Sequence, residues 1–581
     1  MLSYALQPET YELLYGARHL LDPDMIPDMP KTISVCAAKG GTAAFQLLIN
    51  DDGGDYTVRK SGQTSLSALG QLNTYRVEVC SEFPCTLSIE EYITDDDLLR
   101  RADALLSSPN ADFHPDEIAG IWIEFDIPEN ADAGIYRDKV NIYSSKMFGA
   151  EEKTACLEYE LTVYGHVEKK LSDTDFHLDI WQHNTSIARY AEVPLWSGEH
   201  FELIEKYVSV LARLGQKAVT LIVSDAPWNG QWCHLDKRSS STLYEYSIID
   251  TYREADGSFS YDYSAMDRYI GLCAEYGISE EISVYGLVNV WCDLRGGFGS
   301  LCPEYPDGVK IKFYDKADGC YKYMDRADDI DGYVAALRDH FVECGLIEKV
   351  RVVADEPAFP DLYEISIGHL KKIAPEFKLK AALNNTGFIE RFGSEISDFV
   401  PNLEVWSKEN DKLASYKNTM PGKRFLWYIC NQPPYPNTFI KSPLCETLYL
   451  GVLSAYMETD GFLRWALCEW TKEPRRDMRY FGWAAGDLNF VYPQKNGAPL
   501  LSLRYKALYR ALELNMLLRE LKKTADKKTV EKAFSFVMRK RDLSGFFIEG
   551  TRDPAPAEEL YSSEYADYDA MKRFVLEKLS Q

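Results

Sequence analysis

From about residue 172 onward the chain alternates short apolar runs with amphipathic stretches, and it does so eight times. The runs are FHLDIW (176–181), KAVTLIV (217–223), EISVYG (281–286), VRVVA (350–354), KLKAALN (378–384), LEVW (403–406), RFLWYI (424–429) and LRWAL (463–467). Helical patterns lie between them at about 198–214, 264–276, 331–345, 360–373, 387–395, 412–418 and 443–459, and a last one follows at 502–522. Nearly continuous apolar runs suit strands covered on both faces, which parallel strands are. Eight strand–helix units in a row predict a (β/α)8 TIM barrel.

The first 168 residues read differently. GTAAFQLLIN (41–50), YRVEVC (75–80), GIWIEFDIP (120–128), YRDKVNIYSS (136–145) and LEYELTVYG (157–165) are β-rich, with Gly, Asn and Asp turns between them. They predict an N-terminal antiparallel β-sandwich. The expected organisation is a sandwich over 1–168, a barrel over 172–522 and a charged, mostly helical and peripheral extension over 523–581. A chain of 581 residues exceeds one ordinary core, so several domains are expected.

The formal net charge of -26 argues against nucleic acid as a partner, because an acidic surface repels phosphates. Thirteen cysteines without a CxxC pair read as reduced thiols of a cytoplasmic protein. The N-terminus lacks the pattern of a signal peptide, and no run reaches the ~20 apolar residues of a membrane span. DRADDIDG (325–332) imitates a calcium loop but lacks the terminal Glu, and reads better as the start of a helix. GGFGS (296–300), within a long insertion at about 290–328, has no Lys-Ser/Thr after it and is no phosphate loop. No metal or cofactor is implied.

Barrel active sites lie at the C-terminal ends of the strands. Asp355 and Glu356 end the fourth strand, with Pro357 next. Trp181 and His183 follow the first, Asp225 and Trp228 the second, Asn289 and Trp291 the third. Asn384 closes the fifth, Trp406 the sixth, Tyr428 and Asn431 the seventh, and Trp465, Glu469 and Trp470 the eighth. Amides and acids bond hydroxyls and indoles stack on sugar rings, so this rim suits a carbohydrate. Each aromatic could equally belong to the core.

Two adjacent carboxylates near apolar walls raise each other's pKa, so one can serve as a general acid near neutral pH. Glycoside cleavage needs such an acid and a second group that stabilises the cationic centre. Adjacent strand residues point opposite ways, so the pair shares a site only if the chain bends. The competing reading is that Asp355 caps the next helix and Glu356 is solvated. The seventh strand, RFLWYICNQPPYPN, ends without Asp or Glu. A double displacement then needs Glu469 or a loop acid as nucleophile. Otherwise the substrate's own 2-acetamido group attacks.

With these residues in view, the chain resembles proteins carrying the domain of unknown function 4091 and, through them, glycoside hydrolase family 123. The resemblance rests on IWIEFDIPENADAGIYRDKV, HLDIWQHNTSIARYAEVPLWSGEHFELIEKYVSVLARLGQKAVTLIV, the DEP site, WYICNQPPYPNTFIKSPLCETLYLGVLSAYMETDGFLRWALCEW and GDLNFVYPQKNGAPLLSLRYKALYRALE. It implies a retaining, substrate-assisted β-N-acetylgalactosaminidase-like hydrolase without a cofactor. Asp355 would orient the acetamido group and Glu356 would be the acid/base. A non-acetamido glycosidase and a non-catalytic sugar-binding protein remain the alternatives.

Overall fold

The computed structural model describes all residues except 16–22, 61–72, 148, 229–243, 290–300, 481 and 495–496. Trp291 and GGFGS (296–300) lie outside the described residues. Two six-stranded sheets form the N-terminal sandwich. Their ladders are mainly antiparallel, but Thr32–Lys39 runs parallel to Glu152–Val167, and Tyr56–Arg59 parallel to Asn73–Val79.

Eight parallel strands follow: β1 (His177–Ile180), β2 (Ala218–Ile222), β3 (Glu281–Tyr285), β4 (Val350–Asp355), β5 (Lys378–Leu383), β6 (Ile396–Pro401), β7 (Arg424–Tyr428) and β8 (Gly461–Arg464). They pair in the order β1-β8-β7-β6-β5-β4-β3-β2. The seam between β1 and β2 is closed by the Gln216 side chain, which accepts from Ile180 N at 2.8 Å and donates to Ile180 O at 3.1 Å and Ala218 O at 2.8 Å. A single backbone bridge, Leu178 to Gln216 with Lys217 N donating to Leu178 O at 2.9 Å, completes the seam beside this amide, and the barrel is nearly closed.

Six strands lie where the apolar runs predict them, the eighth starts earlier and shares only Leu463 and Arg464 with its run, and the sixth lies elsewhere. LEVW (403–406) is helical, within Leu403–Lys408, and the strand is the preceding ISDFVP. Asn402 explains the switch: its side chain accepts from Val405 N at 2.9 Å and caps the helix. Trp406 is therefore not at a strand end. It is buried, and its indole N–H donates to Leu426 O at 3.0 Å.

Side chains alternate between the outer core and the barrel interior. The interior begins with charge. Lys380 is fully buried, with its Nζ 2.5 Å from Asp179 Oδ2 and 2.7 Å from Glu281 Oε1. Arg424 meets Asp398 at 2.5 Å and also pairs with Glu281, while His177 Nε2 lies 3.1 Å from Glu281. Above this layer sits an apolar one made of Ile222, Val353, Ala382, Val400, Leu426 and Leu463, with Trp181, Tyr285 and Tyr428 toward the C-terminal ends of the strands.

The last barrel helix, Leu503–Thr524, faces the sandwich with cations. Arg504 pairs with Asp103 at 2.9 Å, Arg510 with Glu9 at 3.0 Å, and Lys506 with Glu124. The C-terminal helix Tyr565–Leu579 returns to the same place, with Lys572 3.0 Å from Glu513. No helix among the described residues is long and apolar enough to cross a membrane.

Lys380→Met should destabilise the protein by about 3–5 kcal/mol in denaturant unfolding, because it strips the buried Asp179 of its ammonium partner and leaves Glu281 with only Arg424 and His177. Burial alone would raise the Glu281 carboxyl, but Lys380, then His177 and Arg424, hold it well below the usual range. That part of the stability is present above the ordinary carboxylate pKa and is lost as the pH falls. A loss under about 1 kcal/mol at neutral pH would show that the network does not carry the barrel interior.

Candidate active site

Asp355 is the last residue of β4, opposite Ala382 on β5. Strand alternation puts it on the inner face with Val353, while Ala354 faces the outer core. Its charge raises the pKa of both Tyr285 and Tyr428, so it stands near both phenols.

Glu356 then breaks the alternation. Its φ is 51°, in the left-handed region that costs a non-glycine residue on the order of 1 kcal/mol. Glu356 N donates to Ala382 O at 3.2 Å and holds the bend. The side chain thereby turns toward β7, where Tyr428 Oη donates to Glu356 Oε1. Adjacent carboxylates thus address one tyrosine, one through its field and the other through a hydrogen bond. This strained turn is the bend that a shared site requires, and it leaves no helix-capping bond from Asp355: the next helix, Pro360–Ile373, is preceded by Phe359.

Burial pushes the Glu356 carboxyl up. The Tyr428 hydrogen bond and the Arg552 guanidinium pull it back only in part. A carboxyl so placed keeps its proton nearer neutral pH than an ordinary glutamate.

The floor beside this pair is aromatic. Trp181 stacks on Trp228 with centroids 5.6 Å apart, and Tyr285 sits 4.7 Å from Trp181. His183 lies between Trp228 at 5.9 Å and Trp465 at 6.0 Å. Trp465 is fixed by its N–H to Asp487 at 3.1 Å, and Asp487 by Arg464 at 2.8 Å. Trp181 Nε1 and Tyr285 Oη are buried with no hydrogen-bond partner among the described residues. Buried donors are seldom left so, and a ligand is a ready explanation.

The remaining candidate residues divide. Asn384 and Asn431 are partly exposed at the ends of β5 and β7, where Asn384 accepts from Asn385 at 2.9 Å and Asn431 from Cys430 at 3.3 Å. Asn289 is buried and ties its own loop, donating to Gly286 O at 3.1 Å and Gly308 O at 3.3 Å. Trp470 is buried against Tyr190 and Tyr207, with its N–H on Val491 O at 2.9 Å. Glu469 is fully buried beside Glu245. Burial drives both carboxyls up despite Arg189, Glu245 to about 7. Thr185 N donates to Glu245 at 3.2 Å, which anchors the helix Asn184–Ala191. That role leaves Glu469 badly placed to attack a sugar.

Tyr285 and Arg552 were not among the candidates read from sequence. Tyr285 was legible in principle, since it shares the inner parity of its strand with Ser283. Arg552 was not, because it belongs to the extension that composition marks as peripheral. The turn Phe547–Pro554 packs instead on the catalytic rim. Lys408 Nζ reaches Thr551 O at 2.7 Å, Arg552 Nε reaches Glu404 at 3.1 Å, and Tyr435 Oη reaches Pro554 O at 3.4 Å. Glu404 and Lys408 follow β6 and Tyr435 follows β7, so the turn stands between those strand ends.

A second cleft, of about 660 Å³, lies at the other end of the barrel, lined by Phe176, Leu178, Asp460 and Arg519 among others. Ion pairs cross it, Lys417–Asp460 at 2.6 Å and Lys522–Glu458. It has no part in the arrangement around Glu356.

Comparison with solved structures places this architecture. A family 123 glycoside hydrolase from Clostridium perfringens superposes with a TM-score of 0.73 at 18% identity, over 100% of this chain and 97% of that one. More distant are a glycoside hydrolase from Bacteroides vulgatus (8% identity, 79% and 75% covered, TM-score 0.30) and a β-D-glucuronidase from Dictyoglomus thermophilum (10%, 82% and 66%, 0.31). A search of curated proteins gave no match. The family model for the glycoside hydrolase 123 catalytic domain matches residues 181–521, a span that takes in every barrel strand but the first and both carboxylates at the end of β4, and the chain belongs to that family of glycoside hydrolases.

Proposed function

We propose that the protein removes a terminal β-linked 2-acetamido sugar with retention of configuration, the substrate's own acetamido oxygen acting as nucleophile. The observation that carries this reading is the left-handed Glu356, which turns two neighbouring carboxylates onto one side of an aromatic floor. Glu356 gives its proton to the glycosidic oxygen as the C1–O bond breaks. The acetamido oxygen closes on C1, and Asp355 accepts the amide N–H and balances the oxazolinium charge. Water then opens the ring, with Glu356 as base. Tyr285 Oη and Trp181 Nε1, which have no hydrogen-bond partner among the described residues, are donors for sugar or acetamido oxygens.

N-Acetylgalactosamine is the preferred sugar, on the family resemblance. The similar Clostridium perfringens enzyme is described by its hydrolysis of glycolipid glycans, so these are the first complex substrates to try. A cytoplasmic setting is part of the same proposal, and the described cysteines are all free thiols.

Glu356→Gln should lower kcat/KM on 4-nitrophenyl β-N-acetylgalactosaminide or -glucosaminide by about 10²–10⁴-fold. Asp355→Asn should cost about 10²-fold or more. Azide added to the Asp355 variant should give no inverted glycosyl azide; isolating one would make Asp355 the nucleophile. Turnover of non-acetamido β-glycosides alone would favour a separate carboxylate nucleophile. Sugar binding without turnover, indifferent to Glu356→Gln, would favour a binding protein.

The alkaline limb of the pH–rate profile reports the acid that must stay protonated. Tyr428 and Arg552 both lower the Glu356 pKa, so removing either should raise it. Tyr428→Phe and Arg552→Gln are each expected to move the alkaline limb to higher pH, Tyr428→Phe further. A limb that stays put in both would assign it to another group.

A further inference from the structure

Two helices of the barrel's outer layer bring three kinds of metal-binding atom together. Helix Ser264–Glu275 carries Asp267, and helix Ala327–Glu343 carries His340, with Cys344 at its C-cap. His340 Nε2 lies 2.8 Å from Asp267 Oδ1 and 3.6 Å from Cys344 Sγ, and one donor atom from each residue lies within 4.8 Å of the others. His340 and Cys344 are four residues apart, so they share one helical face. Tyr263 stacks on the imidazole with centroids 4.0 Å apart and planes 22° apart, which fixes the ring.

Zinc takes nitrogen, sulfur and oxygen ligands at about 2.0–2.3 Å in a tetrahedron, so two ligands stand roughly 3.3–3.6 Å apart. The histidine–cysteine pair already has that spacing. The histidine–aspartate pair must open by roughly half an ångström to reach it, and Asp267 is exposed and free to swing. The mixed imidazole, thiolate and carboxylate set suits zinc and its neighbours better than calcium or magnesium.

We infer that Asp267, His340 and Cys344 bind one zinc-class divalent cation that clips these two helices together, apart from the catalytic pair. Binding replaces the Cys344 S–H proton with an S–metal bond and releases that proton. A water molecule completes the tetrahedron.

The full chain, stripped with a chelator and desalted, would be titrated with Zn²⁺ against a chromophoric indicator, and separately with Co²⁺. The expected result is one tight equivalent of zinc, with cobalt giving tetrahedral d–d bands and a thiolate charge-transfer band in the near ultraviolet. Losing an outer-sphere partner already costs about 10–100-fold in metal affinity, so Cys344→Ser and His340→Ala should each weaken zinc at least tenfold. Cys344→Ser should also abolish the charge-transfer band. Cys156→Ser and Cys320→Ser, at two other exposed thiols, should change neither. Zinc affinity unaltered in both Cys344→Ser and His340→Ala, or a cobalt complex without thiolate absorption, would overturn the site. All of these side chains are at least partly exposed, so the variants are expected to fold, and none of the readouts depends on glycosidase activity.

Discussion

The barrel interior is organised around a lysine that water never reaches. Lys380 meets Asp179 and Glu281 at distances only one register of the strands allows. A slip of one residue would turn Lys380 outward, leaving Asp179 without its ammonium and Glu281 with only Arg424 and His177. The ion pairs therefore fix which residues face inward on β1, β3 and β5, and the ladder from β5 to β4 sets Asp355 opposite Ala382. Charge at one end of the barrel thus decides the identity of the side chains at the other. The apolar layer between them separates the two charged regions, so Asp355 and Glu356 are not neutralised by Lys380 or Arg424.

At the catalytic end the constraint changes from register to backbone strain. Alternation alone would send Asp355 and Glu356 to opposite faces. The left-handed turn at Glu356, fastened to Ala382 O and met by Tyr428, overrides it. Strain of this kind persists only where surrounding structure holds it, and it concentrates at functional sites. The support comes from well beyond the barrel strands. The last barrel helix bolts the sandwich to the barrel through Arg504 and Arg510, and the turn Phe547–Pro554 brings Arg552 to the rim. Arg552 lies outside the span matched by the family's catalytic-domain model, yet its charge acts on Glu356.

How much of this is legible from sequence depends on how local each cause is. Six strands were, and the eighth in part, because burial on both faces makes them nearly continuous apolar runs. The sixth misled because ISDFVP carries Asp398, needed for the interior ion pairs, and ends in a proline, while the helical LEVW after Asn402 imitates a strand. The DEP pair stood out as two costly charges at the end of a core strand, but its geometry lay in a single dihedral angle that no composition reveals. Trp181, His183, Tyr428 and Trp465 gather at the floor, as residues just past or inside their strands can. Trp406, Trp470 and Glu469 were chosen by the same rule and are buried, the two indoles in packing and Glu469 beside Glu245, since position near a strand end does not fix the direction of a side chain. Tyr285 and Arg552 show the reverse: one needed the inner parity to be known, the other a contact across more than a hundred residues of chain.

The central claim is that the acetamido group of the substrate is the nucleophile at this pair of carboxylates. The most direct measurement is kcat/KM for 4-nitrophenyl 2-acetamido-β-glycosides whose N-acetyl group carries zero, one, two or three fluorines. Each fluorine weakens the carbonyl oxygen as a nucleophile. The account predicts a steep, progressive fall in kcat/KM across the series. A flat series would mean that the amide takes no part in bond formation, and would contradict it.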